Sequence, residues 1–189
     1  MGRAPGYAGR HGPLIGEAMH IRLARPDECS ELPAIERSAA ELFRGSSQAA
    51  VADGDVSPAD FHRPLAVQGL VWVAEDGGRL TGFAACELFE DALHIWELAV
   101  RREAQGHGAG RALVMAAVAE ARRRRAPAVT LTTFRDIAWN APFYASCGFA
   151  EVPEEAFNAR LAWIRARETK LGLEAAARCA MRLTLMPAP

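Results

Sequence analysis

The run His94–Leu113, HIWELAVRREAQGHGAGRAL, constrains the fold more than any other stretch of the chain. A strand-like apolar segment ending at Val100 passes through a charged turn into three glycines at alternate positions, and helical spacing follows from about Gly108 to Arg124. Gly106, Gly108 and Gly110 lack a Cβ, so the backbone can bend close to a guest and present consecutive N–H groups to it. The first turn of the helix adds its unpaired donors and the positive end of its dipole at the same place. A diphosphate is the natural guest. Spacing sets aside two other phosphate loops: the dinucleotide fingerprint needs glycine where Arg111 stands, and no Lys-Ser/Thr pair follows as in a P-loop.

The stretch does match Gln-x-x-Gly-x-Gly, here Gln105-Gly106-His107-Gly108-Ala109-Gly110, preceded by Leu98-Ala99-Val100. It resembles the coenzyme A loop of the GNAT family of N-acetyltransferases. A second block, Asn140-Ala141-Pro142-Phe143-Tyr144-Ala145-Ser146-Cys147-Gly148-Phe149, is similar to the family's later Asn-x-x-x-Tyr-x-x-x-Gly-Phe segment, in the same order and at a matching distance. The resemblance implies an α/β (α+β) fold: one three-layer α/β/α domain around a mixed, mainly antiparallel sheet. It also implies acetyl-CoA as co-substrate and transfer of the acetyl group to a primary amine by direct attack in a ternary complex.

Length and composition agree with one domain. At 189 residues, half of them apolar or aromatic, the chain can bury a sizeable core, and no repeat or linker divides it. A formal net charge of −1 argues against bulk electrostatic binding of nucleic acid. The basic run Arg122–Arg125 falls at the end of the glycine-loop helix, where cations complement the dipole and stay solvated. Cys29, Cys86, Cys147 and Cys179 are scattered without a C-x-x-C pair, so neither a metal site nor a disulfide framework is expected. With no apolar run near the ~18 residues of a membrane span and no signal-peptide pattern, a cytoplasmic location is expected.

Along the chain, residues 1–18 are glycine-rich and aperiodic and are expected to be a loose extension to a domain covering 19–189. A strand starts near His20, a helix is expected from Pro26 to Gly45, and Ser57-Pro58 is expected to cap a short helix to about Val67. Strands Leu70–Ala74 and Leu80–Leu88 flank the hairpin turn Asp76-Gly77-Gly78, and a third runs from Leu93 to Val100. After the glycine-loop helix come a strand from Ala128 to Phe134, a helix from Ala138 to Ser146, and a strand from Phe149 to Val152. A helix from Pro153 to about Leu171 and a last strand from Arg178 to Leu185 complete the pattern, and pairing of two chains through that strand or helix is compatible with it.

By resemblance, the diphosphate lies on Gln105, Gly106, His107, Gly108, Ala109, Gly110 and Arg111. The strand Leu98-Ala99-Val100 hydrogen-bonds the pantetheine arm where it splays from the strand at Val129–Thr133, Asn140 holds that arm, and Phe143 packs beside it. Tyr144 meets the departing thiolate. An alkylammonium, pKa ~10.4, must first lose a proton, so a base is needed. Glu97 and His94 are the candidates. Three residues apart, they face opposite sides of a regular strand unless a bulge intervenes. By resemblance, His94 aligns with the glutamate of histone-type members, whereas Glu97 sits in the Glu-Leu-Ala-Val arrangement of bacterial homologues. Each also has a bland alternative, an ion-paired glutamate or a hydrogen-bonded, half-buried imidazole. Thr132–Trp139 resembles a signature of bacterial homologues, with Arg135 and Asp136 placed to pair in a loop. His107 is expected at the surface or near a phosphate, and Cys147 as packing. The acceptor is a small-molecule or protein amine, set by segments without a motif, such as Arg44–Ser57. A non-catalytic coenzyme A-binding regulatory module is the other class of function that would keep the loop.

Overall fold

The computed structural model describes residues 19–185. Its strands are β1 His20–Leu23, β2 Val71–Asp76, β3 Arg79–Leu88, β4 Leu93–Val100, β5 Ala128–Phe134, β6 Ala150–Val152 and β7 Arg178–Thr184, in one sheet of order β1-β2-β3-β4-β5-β7-β6. Every neighbouring pair is antiparallel except β4/β5. The parallel pair needs a crossover, and the crossover is the glycine-loop helix. Helix α1 Leu32–Ala40 packs on β3 and β4 and α2 Ala59–Val67 on β2 and β3, while α3 Ala109–Arg123 crosses the sheet against β1 to β5. The opposite faces follow from the alternation of β5: Leu131 and Thr133 look one way, Thr130 and Thr132 the other. α4 Ala141–Ser146 packs on β6 and β7, and α5 Ala159–Lys170 meets Thr130 and Thr132 through Arg160 and Glu168.

The local chemistry explains most boundaries. In α3 the buried residues Ala109, Leu113, Val114, Ala117, Val118 and Ala121 recur at threes and fours, one stripe of a helix that faces the sheet. Glu120, on its margin, is half-buried between Arg123 and Arg124. Gly77 and Gly78 have φ of 55° and 77°, the two left-handed positions of a tight hairpin turn.

Four expectations change. The first helix is broken: a 3-10 turn Pro26–Ser30 precedes α1, and another, Glu41–Gly45, follows it. Pro33 lacks an N–H and is tolerated only in a first turn, so the helix restarts at Leu32. Ser57 caps nothing with its side chain; its N–H donates to both carboxylate oxygens of Glu36, at 3.1 and 3.2 Å, and α2 starts after Pro58. The long helix expected from Pro153 begins only at Ala159, because Asn158 Oδ1 accepts the Leu161 N–H and fixes the cap there. β7 is paired with β5 on one side and with β6 on the other over Ala180–Arg182, so the C-terminal strand offers no open edge there to a second chain. The extension at 1–18 lies outside the described residues.

One irregularity places the site. On β3, Ala85 is opposite Glu97 but Cys86 is opposite Ile95, so Trp96 is an extra residue on β4. Ala85 and Glu87 share a face of β3, and their partners Glu97 and His94 therefore share a face of β4 despite their odd spacing.

Candidate active site

β4 and β5 pair only from Leu93↔Val129 to Ile95↔Leu131. Beyond Ile95 the strands part, leaving the edge of β4 from Trp96 to Val100 open toward β5. A cavity of about 540 Å³ fills the wedge, with the glycine loop at one end and α1 at the other.

At the loop end, Gly106 and Gly108 have φ of 80° and 89°, which side-chain-bearing residues rarely adopt. The first bond of α3 runs from Ala112 N to Gly108 O, at 3.0 Å, so the N–H groups of Ala109, Gly110 and Arg111 lack intrahelical acceptors. A Cβ at Gly106 or Gly108 would meet nothing within 4 Å, so both face open space, whereas one at Gly110 would lie 3.6 Å from the Phe143 ring. Gln105 Nε2 donates to Val100 O at 2.9 Å, tying the loop to the end of β4. Free donors, a helix N-terminus and bare backbone fit a diphosphate.

Leu98, Val100, Gln105, Gly106, Gly108, Ala109, Gly110, Arg111, Asn140 and Phe143 all line the cavity. His107 and Ala99 do not: His107 is exposed, and Ala99 is buried opposite Phe83 on the α1 side of the sheet. Arg111 donates to Ser146 O and Oγ, at 3.1 and 2.7 Å, and so also fastens α3 to α4.

Tyr144 and Asn140 enter from the start of α4. Asn140 Oδ1 accepts from Thr133 Oγ1 at 2.6 Å, and its backbone carbonyl accepts the Tyr144 N–H at 3.0 Å. The Tyr144 ring packs edge-on against Phe143 and Phe149. Burial, and next the charge of Glu97, push its phenol well above the ordinary range, so it keeps its proton near neutrality.

Glu97 lines the middle of the wedge. Burial raises its carboxyl to about 7, against the pull of Arg178 and the Leu98 N–H. Glu36 of α1 lines the same cavity; burial and then the charge of Glu97 raise it to about 8, against the Ser57 N–H. Arg178 is held by Glu168 and Thr132 and lies 4.5 Å over the Phe134 ring. Neither Glu36 nor Arg178 stood out in the sequence. The available signal for Glu36 was a carboxylate directly beside the apolar stripe Leu32, Ile35 and Ala39, and for Arg178 a charge at the first position of β7, ahead of Cys179, Ala180 and Met181.

His94 is elsewhere. It is 1% exposed, is absent from the cavity wall, and sits with Nδ1 3.0 Å from Thr130 Oγ1 and its ring against Trp96. Burial, with the nearby Arg160 charge, pushes it down to about 3. The bulge turns it to Glu97's face without bringing it to the wall of the wedge. Within Thr132–Trp139, Phe134 and Trp139 line the cavity and Phe43 stands between them, with ring centroids 5.6 and 5.8 Å away. Arg135 pairs with Glu151 rather than with Asp136.

Solved structures with the same architecture include the PaiA N-acetyltransferase of Thermoplasma acidophilum in complex with coenzyme A, at 13% identity and a TM-score of 0.65 over 89% of this chain and 100% of that one. Rv2747 of Mycobacterium tuberculosis, in complex with CoA, gives 21% and 0.64 over 88% and 99%. The ribosomal-protein-S18-alanine N-acetyltransferase of Escherichia coli gives 17% and 0.62 over 90% and 96%. At these identities they speak for the fold. The Acetyltransferase (GNAT) family matches residues 36–149, from Glu36 through the glycine loop to Phe149 and well over half of the 189, and the chain belongs to that family of acetyl-CoA-dependent N-acetyltransferases.

Proposed function

We propose that the protein acetylates a primary amine by direct attack within a ternary complex, with Glu97 as the base and Tyr144 as the hydrogen-bond donor to the leaving sulfur. Acetyl-CoA supplies the activated acyl group as a thioester. The observation that carries the reading is geometric: Glu97 and Tyr144 line one wedge, the carboxyl raised by burial and the phenol held protonated by the same burial. Such a pair can take a proton at one end and stabilise a developing thiolate at the other.

The loop Gly106–Arg111 would hold the diphosphate by its N–H groups, and the open edge of β4 would take the pantetheine arm as an added strand does. Asn140, fixed by Thr133, would support the same arm. A Glu97 oxygen takes one proton from the entering ammonium, which frees the nitrogen lone pair for attack. The Tyr144 hydroxyl donates to the departing sulfur, and solvent removes the surplus proton from the new amide nitrogen. His94 has no part in this, being buried outside the cavity. Four free, buried cysteines fit a reducing cytoplasm.

The test measures acetyl-CoA binding by calorimetry and thiol release with a panel of amines, with the N-acetyl product identified by mass. Binding with amine-dependent release is expected. Binding without release from any amine would leave a coenzyme A-binding regulatory module instead.

A further inference from the structure

The acceptor end of the cavity holds a positive charge that the protein leaves without a counter-charge of its own. Arg165 and Arg178 share the one carboxylate of Glu168, and their side chains are only 9% and 11% exposed, so the cluster keeps a surplus cation in a nearly dry place. Arg165 spends its Nη2 on the carbonyls of Ala175 and Arg178, at 2.8 and 3.2 Å, and is not on the cavity wall. Arg178 is on that wall. Its Nη2 goes to Glu168 and Thr132, its Nε is buried without a partner, and its Nη1 has none among the described residues. Arg178 meets Thr132, while Glu97 shares a face with His94, which meets Thr130; Thr130 and Thr132 look the same way, so Arg178 and Glu97 stand on the same side of the sheet. The Arg178 charge pulls on the Glu97 carboxyl, yet among the described residues no hydrogen bond or ion pair joins the two.

Resting on the acetyl-transfer reading, we propose that the acceptor is a free amino acid bound as its zwitterion: Glu97 receives the ammonium, and the Arg178 guanidinium receives the carboxylate beside it. A carboxylate on Nη1 would make a charge-assisted bond and offset the surplus charge of the cluster. An amine without a carboxylate leaves that charge unmatched, and a polyamine brings a second cation against it. A peptide N-terminus offers a neutral carbonyl there, which accepts a hydrogen bond but carries no charge. Glu36 does not upset the balance. Burial and then the charge of Glu97 raise it to about 8, so near neutrality it is mainly protonated and the ammonium meets chiefly the charge of Glu97.

The experiment uses the full chain with saturating acetyl-CoA and reads kcat/KM from thiol release. The protein amino acids are compared first, and the best of them is then set against its own amide and its decarboxylated amine, with spermidine and an alanyl tripeptide amide alongside. That amino acid is expected to exceed every probe lacking the carboxylate by at least ~10-fold, a discrimination of ~1.4 kcal/mol. In Arg178→Gln the ratio of the amino acid to its amide should fall toward one, whereas Arg178→Lys, which keeps the charge, should retain part of it. The ratio cancels whatever the lost guanidinium does to Glu97 or to packing, because both substrates meet the same altered site. Circular dichroism and acetyl-CoA affinity by calorimetry establish that the variants are folded, and if Arg178→Gln is not, the comparison on the unaltered protein decides. An amide, amine, spermidine or tripeptide amide turned over as well as the best amino acid, or an unchanged ratio in folded Arg178→Gln, overturns the proposal while leaving acetyl transfer standing. Release with none of the probes, despite coenzyme binding, overturns the acetyl-transfer reading and this proposal with it.

Discussion

Replacing Glu97 with glutamine tests the mechanism most directly, because the structure gives both a size and a shape to the effect. Burial holds the Glu97 carboxyl up to about 7, so the share of enzyme that carries the base falls about tenfold for each pH unit below that. For a substrate that arrives as ammonium, kcat/KM of the unaltered enzyme should climb about tenfold per pH unit up to about 7 and then level off. In Glu97→Gln the rate at pH 7.5 should fall by ~10²–10⁴-fold, the usual contribution of a positioned base. Its profile should then follow the free amine alone, rising without a break toward pH ~10. The glutamine side chain would fill the same space without a buried charge, so the fold should survive and melt no lower. Stopped-flow or steady-state thiol release between pH 5 and 10, with melting followed by circular dichroism, gives both readouts. A folded variant that loses less than tenfold, or keeps the break near 7, would refute the assignment of the base.

Tyr144→Phe should preserve the packing on Phe143 and Phe149 and the acetyl-CoA affinity, while kcat falls at least ~10²-fold when chemistry limits the rate; calorimetry and pre-steady-state thiol release measure both. Gly82→Ala would put a Cβ 2.9 Å from the Ala99 carbonyl and 3.1 Å from Val100 Cγ2, prising β3 from β4 where β4 runs out into the glycine loop. A loss of ~1–3 kcal/mol, seen as a drop of several degrees in Tm, is expected. His62 is fully buried against Phe61 and Phe83, neither ring nitrogen has a hydrogen-bond partner among the described residues, and burial pushes it down to about 4. Its folded pKa lies below its unfolded value, so the unfolded chain binds the extra proton and stability is lost as pH falls from about 6.5 toward about 4. His62→Leu should reduce that acid loss, by about 2 kcal/mol, in urea titrations at pH 7 and 4.5.

Local chemistry explains what was legible in the sequence. The glycines at 106 and 108 need their left-handed backbone wherever the chain goes, the Gly77-Gly78 turn joins adjacent strands, and α3 shows its buried stripe within its own fifteen residues. Long-range packing explains what was not. Glu36 resembles any solvated glutamate until α1 lies on β4, and only that contact brings its carboxylate beside Glu97. His94 and Glu97 have the spacing of opposite faces, and the extra residue at Trp96 that aligns them is visible only in the register with β3. The break before α5 depended on whether Pro153 or Asn158 set the cap. Both are plausible starts in isolation, and the Asn158 bonds to Leu161 and to Asp91, 67 positions away, decide it.

The three-residue seam between β4 and β5 also has a mechanical meaning. Among the described residues it is the sole strand-to-strand weld between a block of β1 to β4 and a block of β5, β7 and β6, so the sheet is built like a clothes-peg sprung at its short end. A pantetheine arm lodged between the jaws would act as a splint, adding backbone bonds where the protein has none. Ligand that binds only the folded state stabilises it by RT ln(1 + [L]/Kd), about 2.7 kcal/mol at a hundred times Kd. Hydrogen exchange should show where that stiffening falls: slower at the amides of β4 beyond Ile95 and of β5 beyond Leu131, and little changed in the β1–β2 ribbon at the distant edge.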